Sequence, residues 1–196
     1  MKKITTLILA FSFLFSFKAN ALDADKAENF VKKVTSEGIE EIINSDVSQE
    51  EKDERFAKLF DTYLDMDYIG KFVLGRYWKT ATEKQKKDFI EAYRAFNIKT
   101  WAKRFDEFKG KSFDFNGTSP SNSEGQIFVN TSVKMKEGAP AKVVWRVKDG
   151  ASLKIVDIII ENVSLAVTAR NEYTVYIKQA PNGLNDLIKD LRQKAN

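Results

Sequence analysis

The sequence predicts an α+β fold in which a twisted antiparallel sheet of about four to five strands is wrapped by helices. Three observations carry that prediction. Up to Phe108, apolar residues recur at threes and fours; from Ser112 to Val163 they alternate; from Leu165 onward the helical spacing returns. Connections within the alternating region are short and built from turn residues, which makes consecutive strands antiparallel neighbours.

Each element has its own signal. Ala24 to Asn44 places Ala27, Phe30, Val31, Val34, Ile39 and Ile42 on one helical face, with slippage around Gly38. Ser48 starts SQEEKDERFAKLFDTYL, whose first turn is acidic, as a helix dipole favours, and whose stripe is Phe56, Leu59, Phe60 and Tyr63. Thr82-Glu83-Lys84-Gln85 has the form of a capping box. From it a helix of about 25 residues carries Phe89, Tyr93, Phe96, Trp101, Phe105 and Phe108. This aromatic helix must cover something, and the simplest assembly curls the sheet around it.

Beyond Lys109-Gly110 the period becomes two. SFDFN (112–116) is a short strand, and NGTSPSNSEG (116–125) reads as a loop. Ile127, Val129, Thr131, Val133 and Met135 share one strand face. Val143, Trp145 and Val147 share the next, and Leu153 to Val163 forms the last strand. Two helices, near Leu165–Gln179 and Leu184–Lys194, close the chain around APNG.

The first residues read as a cleaved leader. Lys2 and Lys3 precede an apolar run from Ile4 to Phe17, too short to span a bilayer, and Ala19-Asn20-Ala21 supplies small residues for a cut after Ala21. Residues 22–196 are then expected to form a single domain, large enough to build a core without staples. The leader carries three lysines and no acid, so the formal net charge falls from +4 to +1 on its removal. A nucleic-acid binder would keep a strong positive excess, and that class is set aside. The chain has no Cys and no His. Cysteine nucleophiles, histidine bases, the usual serine triads and most zinc sites are excluded with them. No cofactor is expected, and no catalytic residue is assigned.

Asp67 to Trp78, DYIGKFVLGRYW, is dense in aromatic and β-branched residues beside two glycines and has no group suited to acid–base work at neutral pH. Tyr68–Phe89, YIGKFVLGRYWKTATEKQKKDF, resembles the signature segment of MlaC-type periplasmic phospholipid-binding proteins, the toluene-tolerance family of ABC-transporter auxiliary components. In that family a V-L-G-x-Y-[WY]-[KR] run precedes an A-[ST]-x-x-Q box and a long helix. Here these are Val73-Leu74-Gly75, Tyr77-Trp78-Lys79 and Ala81-Thr82 through Gln85. DIIIENVSLAVTARNEY (157–173) is similar to the family's strand end and following helix, with Asn162 where the family usually has Gly. Asn tolerates the left-handed conformation, so the turn is expected to survive. NGLNDLIKDLRQK (182–194) matches the Gly-x-x-x-Leu-Ile-x-x-Leu ending.

The resemblance implies an NTF2-like fold with an apolar interior cavity and a soluble carrier that shuttles phospholipid across the periplasm. It also implies two partners, an inner-membrane ABC transporter with MCE-domain subunits and an outer-membrane lipoprotein–porin complex, and a role in maintaining outer-membrane lipid asymmetry. A carrier needs an apolar lining. The acyl chains are expected against Ile127, Val129, Val133, Val143, Trp145, Val147, Ile158 and Ile160 of the sheet, faced by Phe72, Trp101 and Phe105. Trp101 stands out because the family also places an aromatic at that point of the long helix. Gly70 and Gly75 are expected to let a short helix turn or shift where lipid enters.

Three other readings compete. One is a carrier of another envelope lipid, such as a hopanoid. The second is an enzyme using paired carboxylates, for which Asp65/Asp67 and Asp157/Glu161 are the candidates. The third is a binding module whose aromatic residues simply fill a core.

Overall fold

The computed structural model describes residues 22–38, 42, 44–105, 111–134 and 139–196. The expected leader, residues 1–21, lies outside them. Side-chain caps set where the helices begin. Asp23 precedes α1 (Ala24–Ser36), and its carboxylate accepts the N–H groups of Asp25 and Lys26 at 3.0 and 3.2 Å. Ser48 Oγ accepts the Glu51 N–H ahead of α2 (Gln49–Tyr63), and Asp65 accepts the Tyr68 N–H ahead of α3 (Met66–Leu74). After the short α4 (Arg76–Thr80), the capping box closes reciprocally. Gln85 N–H donates to Thr82 Oγ1 at 3.2 Å and Thr82 N–H donates to Gln85 Oε1 at 3.0 Å, launching α5 (Glu83–Phe105).

The two glycines of DYIGKFVLGRYW do different work. Gly70 lies inside α3, where a Cβ would meet Ile90 Cγ1 at 3.0 Å, so it permits close packing of α3 on α5 and is not a hinge. Gly75 sits between α3 and α4 at φ 53°, ψ −117°, and a Cβ there would press on the Arg170 guanidinium at 3.0–3.2 Å. That backbone region is nearly closed to other residues. Gly75→Ala is therefore expected to cost roughly 1–3 kcal/mol, read as a lower urea midpoint at unchanged slope.

The sheet is a five-stranded antiparallel meander in the order β1 (Phe113–Pro120), β2 (Gln126–Val133), β3 (Ala141–Lys148), β4 (Lys154–Ile160) and β5 (Val163–Ser164). Gly117–Pro120, read from sequence as loop alone, is instead strand. The register with β2 shifts between Phe115 and Thr118, and Gly117 takes φ 78°, so a bulge absorbs the turn-forming residues while pairing continues. A second bulge lies opposite Arg146 and Val147, where β4 carries Val156 as the extra residue. It shifts the alternation, so Ile155 pairs with Val147 while Ile158 and Ile160 pair with Trp145 and Val143. The last strand folds back on itself through Glu161 (φ 48°) and Asn162 (φ 66°), two successive left-handed residues that make a hairpin turn. Asn162 thus takes the conformation that Gly would supply.

The core is divided into three clusters. Helices α3, α5, α6 (Leu165–Gln179) and α7 (Leu184–Ala195) enclose the first, around Leu74, Phe89, Leu187 and Leu191. The apolar sheet face and α1 enclose the second, around Val31, Val129, Val133 and Val147. Ile42, Phe56 and Phe60 form the third, beside Ile98 and Trp101. Contrary to the simplest assembly, α1 lies across β1 and β2, while α5 packs on α2, α3 and α7. Ala27 and Val31 give α1 a flat, fully buried seat on the strands, whereas the bulky rings of α5 stack on other rings, Phe89 on Tyr93 at 5.5 Å.

Candidate functional site

The three clusters do not close on one another, and an apolar cavity remains between them. Its volume is about 150 Å³ for the centre of a water molecule, and the void out to the surrounding atoms, opening included, is about 1130 Å³. The wall draws on the end of α1 (Val34, Thr35), the stripe of α2 (Phe56, Leu59, Phe60), Leu64 after it, Met66 and Ile69 of α3, Tyr93, Asn97 and Trp101 of α5, Phe113 of β1, strands β3 and β4, and the start of α6.

Of the residues expected from sequence to meet acyl chains, Trp101, Val143, Trp145, Ile158 and Ile160 line this cavity together. The β4 bulge accounts for the last two, because it turns Ile158 and Ile160 toward the same side as Trp145 and Val143. Ile127, Val129, Val133 and Val147 are placed elsewhere, in the buried layer where β2 and β3 meet α1. Phe72 packs on the helical cluster with the Arg170 guanidinium over its ring at 4.9 Å. Phe105 ends α5, but its side chain lies outside the described residues. Sequence reasoning missed the α1 and α2 contributions. The stripe Phe56–Leu59–Phe60 was visible, but spacing tells which face of a helix is buried and not what lies opposite it.

Most polar atoms on the wall are turned away from the void. Thr35 Oγ1 donates to the carbonyls of Val31 and Lys32, each at 3.0 Å, and Asn97 Nδ2 donates to the Tyr93 carbonyl at 2.7 Å. Trp145 Nε1 donates to Thr131 Oγ1 at 3.0 Å, which donates in turn to the Val143 carbonyl at 2.7 Å. Both oxygens of Asp157 accept, one from Ser164 Oγ at 2.6 Å and one from the Ala166 N–H at 3.1 Å. A water molecule needs two to four polar partners, so a cavity in which most polar groups are already paired and the Tyr93 hydroxyl is the main exception is suited to hydrocarbon.

Three of the four carboxylates of the enzyme reading have structural partners among the described residues, Asp67 being the exception. Asp65 caps α3 and pairs with Lys148 at 3.4 Å, and Asp157 caps α6 from β4. Glu161 is exposed in the hairpin turn and accepts the Lys142 N–H. Among the described residues no cluster of acids stands ready to hold a metal ion.

Burial pushes the Tyr93 hydroxyl up to about 12, helped by the negative charges of Asp157 and Glu172, and raises Tyr173, its edge-to-face partner at 5.8 Å, further still. Ionisation is easier in the unfolded chain, so the stability these two groups supply is complete below about pH 10 and drains away above it. Unfolding free energy is expected to fall between pH 10 and 12, with a shallower fall in Tyr93→Phe, as urea titrations across that range will read.

No helix among the described residues is long and apolar enough to cross a membrane. The fold has a solved counterpart. A phospholipid-binding protein from Ralstonia solanacearum, determined in complex with a phospholipid, superposes with a TM-score of 0.75 at 19% identity, over 87% of this chain and 97% of that one. At that identity the likeness speaks for the fold. The sequence itself supplies the family, since the profile described as MlaC protein matches residues 32–193. This chain therefore belongs to the MlaC family.

Proposed function

We propose that the protein is a phospholipid carrier that shelters acyl chains in the cavity between its sheet and helices. The observation that carries the reading is the cavity itself, walled mainly by apolar side chains, with most of its few polar neighbours hydrogen-bonded within the protein. Membership of the MlaC family and the likeness to a phospholipid-binding protein solved with its lipid support it. The energetics explain the need for a carrier. Two acyl chains bury about 30 methylenes at about 0.8 kcal/mol each, near 24 kcal/mol, so free passage through water is negligible. Trp101, Val143, Trp145, Ile158 and Ile160 are the expected sheet and helix contacts, joined by Phe56, Phe60 and Leu64. The headgroup stays at the opening in water.

In this reading residues 22–196 form the mature carrier, exported to the periplasm by cleavage after Ala21. There it exchanges lipid with an outer-membrane lipoprotein–porin complex and an inner-membrane ABC transporter bearing MCE subunits, and so helps keep the outer membrane asymmetric. No chemical step belongs to it. Native mass spectrometry of protein purified from cells is the test. Adducts of phospholipid mass that yield phospholipid on extraction are expected. A clean apo spectrum with lipid-free extracts would overturn the reading, and adducts of another lipid class would transfer it to that lipid.

A further inference from the structure

The arginines divide into two groups by what they touch. Three of the six with described side chains pair with carboxylates: Arg55 with Glu51, Arg94 with Asp61 and Arg192 with Asp88, at 2.5, 2.5 and 2.9 Å. The other three have no carboxylate within ion-pair distance among the described residues and lie over aromatic rings instead. Arg76 stands 5.8 Å from the Tyr77 ring, Arg146 5.0 Å from Phe128 and Arg170 4.9 Å from Phe72.

Those three share one side of the molecule. Arg146 and Lys148 alternate on the same face of β3, and Lys148 reaches over the Tyr68 ring at 5.0 Å. Tyr68 and Phe72 are one turn apart on α3, and the Arg170 guanidinium that covers Phe72 also abuts Gly75, next to Arg76. Two of the acids of this face are already committed. Asp65 pairs with Lys148 and Asp157 is buried with both oxygens occupied, while Asp67 is balanced in charge only by the presence of Lys71 four residues on, with which it forms no ion pair. Among the described residues no carboxylate therefore lies within ion-pair distance of these three guanidinium groups, although Asp157 is the ladder neighbour of Arg146, and Arg146 Nε is shielded from solvent with no acceptor among them.

We infer that this face docks on the surface of an anionic phospholipid bilayer. Guanidinium forks match phosphate oxygens two at a time, and rings flanked by cations are the composition that sits at a bilayer interface. A track of unbalanced charge on a chain whose expected mature form is nearly neutral overall is a directed feature, not a by-product of composition. The inference goes beyond the carrier reading and does not rest on it, because a protein with an empty cavity would dock equally well.

Flotation with vesicles tests it, using phosphatidylcholine alone and phosphatidylcholine containing about one third phosphatidylglycerol. Wild-type protein is expected to float with the anionic vesicles at low salt, to be released at high salt, and to ignore neutral vesicles. Each surface cation is worth about fivefold in partitioning, so Arg76→Gln/Arg146→Gln/Arg170→Gln is expected to lose binding by about a hundredfold, at an unchanged circular dichroism spectrum. Arg146 and Arg170 are partly buried and Arg76 is exposed, so the single Arg76→Gln variant serves as a second reading, with a loss of about fivefold, and the triple Lys variant should keep most of the binding. Wild-type protein that does not distinguish the two vesicles, as an acidic protein partner would require, overturns the inference. So does a folded triple Gln variant that binds like wild type.

Discussion

Replacing Ile158 with tryptophan is expected to leave the protein folded and to empty it of phospholipid. Ile158 is half-buried on β4, where it packs against the edge of the second cluster and also lines the cavity beside Trp145 in the ladder, so the larger side chain has the void open to it on one side. Overpacking a filled core costs about 1–3 kcal/mol, whereas here most of the added volume enters open space. Each acyl methylene excluded forfeits about 0.8 kcal/mol, and an indole that displaces about four of them removes about 3 kcal/mol, or more than a hundredfold in affinity. Lipid extraction per mole of protein, set beside the melting temperature, reads both halves of the prediction. Val129→Trp is the matching control. Val129 has no exposed surface and lies off the cavity, on the β2 face covered by α1, so the same change there should lower the melting temperature markedly. If both variants behave alike, or if Ile158→Trp still carries a full complement of lipid, the interior is not where the chains reside.

The contrast between those two positions also marks what the sequence disclosed. Alternation along β2 and β3 identified the buried face correctly, as the strict pattern of buried and half-buried residues in β2 confirms. Alternation is blind to what covers that face. Toward β2 α1 closes down on the strands, and toward β4 the helices stand off and leave the cavity, yet both sides read the same in sequence. The bulge at Val156 was invisible for a related reason, since an extra residue in a run of isoleucine and valine leaves the hydropathy unchanged while turning each later side chain over. The capping box at Thr82 and Gln85 was legible because its chemistry is local: two side chains and two N–H groups within four residues. β1 was misjudged by the same local logic. Asn116, Gly117 and Pro120 favour turns in isolation, and the long-range pairing with β2 outweighed them by tucking Gly117 into a bulge.

Asp157→Ala is expected to be the most destabilising of the single changes at a carboxylate. The residue interrupts an apolar strand and is almost fully buried, which in an enzyme would suggest a tuned catalytic acid. Its surroundings assign a different task. One oxygen receives the Ser164 hydroxyl and the other the Ala166 N–H, so the negative charge sits at the N-terminus of α6, where the helix dipole favours it. Ser164 in turn caps the Val167 N–H at 3.0 Å, so losing the carboxylate loosens a cap and leaves the buried Ala166 donor without a partner. Hydrogen bonds to a charged group contribute about 1.5–3 kcal/mol, and the total loss is expected near 3 kcal/mol, or about 6–12 °C in melting temperature for a chain of this size. Asp157→Asn keeps one acceptor and should lose about half as much. Because Leu165 and Ala166 form the cavity wall at that end, the loosened helix start should also let lipid escape faster than in the Asn variant. A catalytic carboxylate predicts the reverse, with both variants equally inactive and stability barely moved. An unchanged melting temperature in Asp157→Ala would remove the cap from the account of how β4 and α6 hold the cavity open.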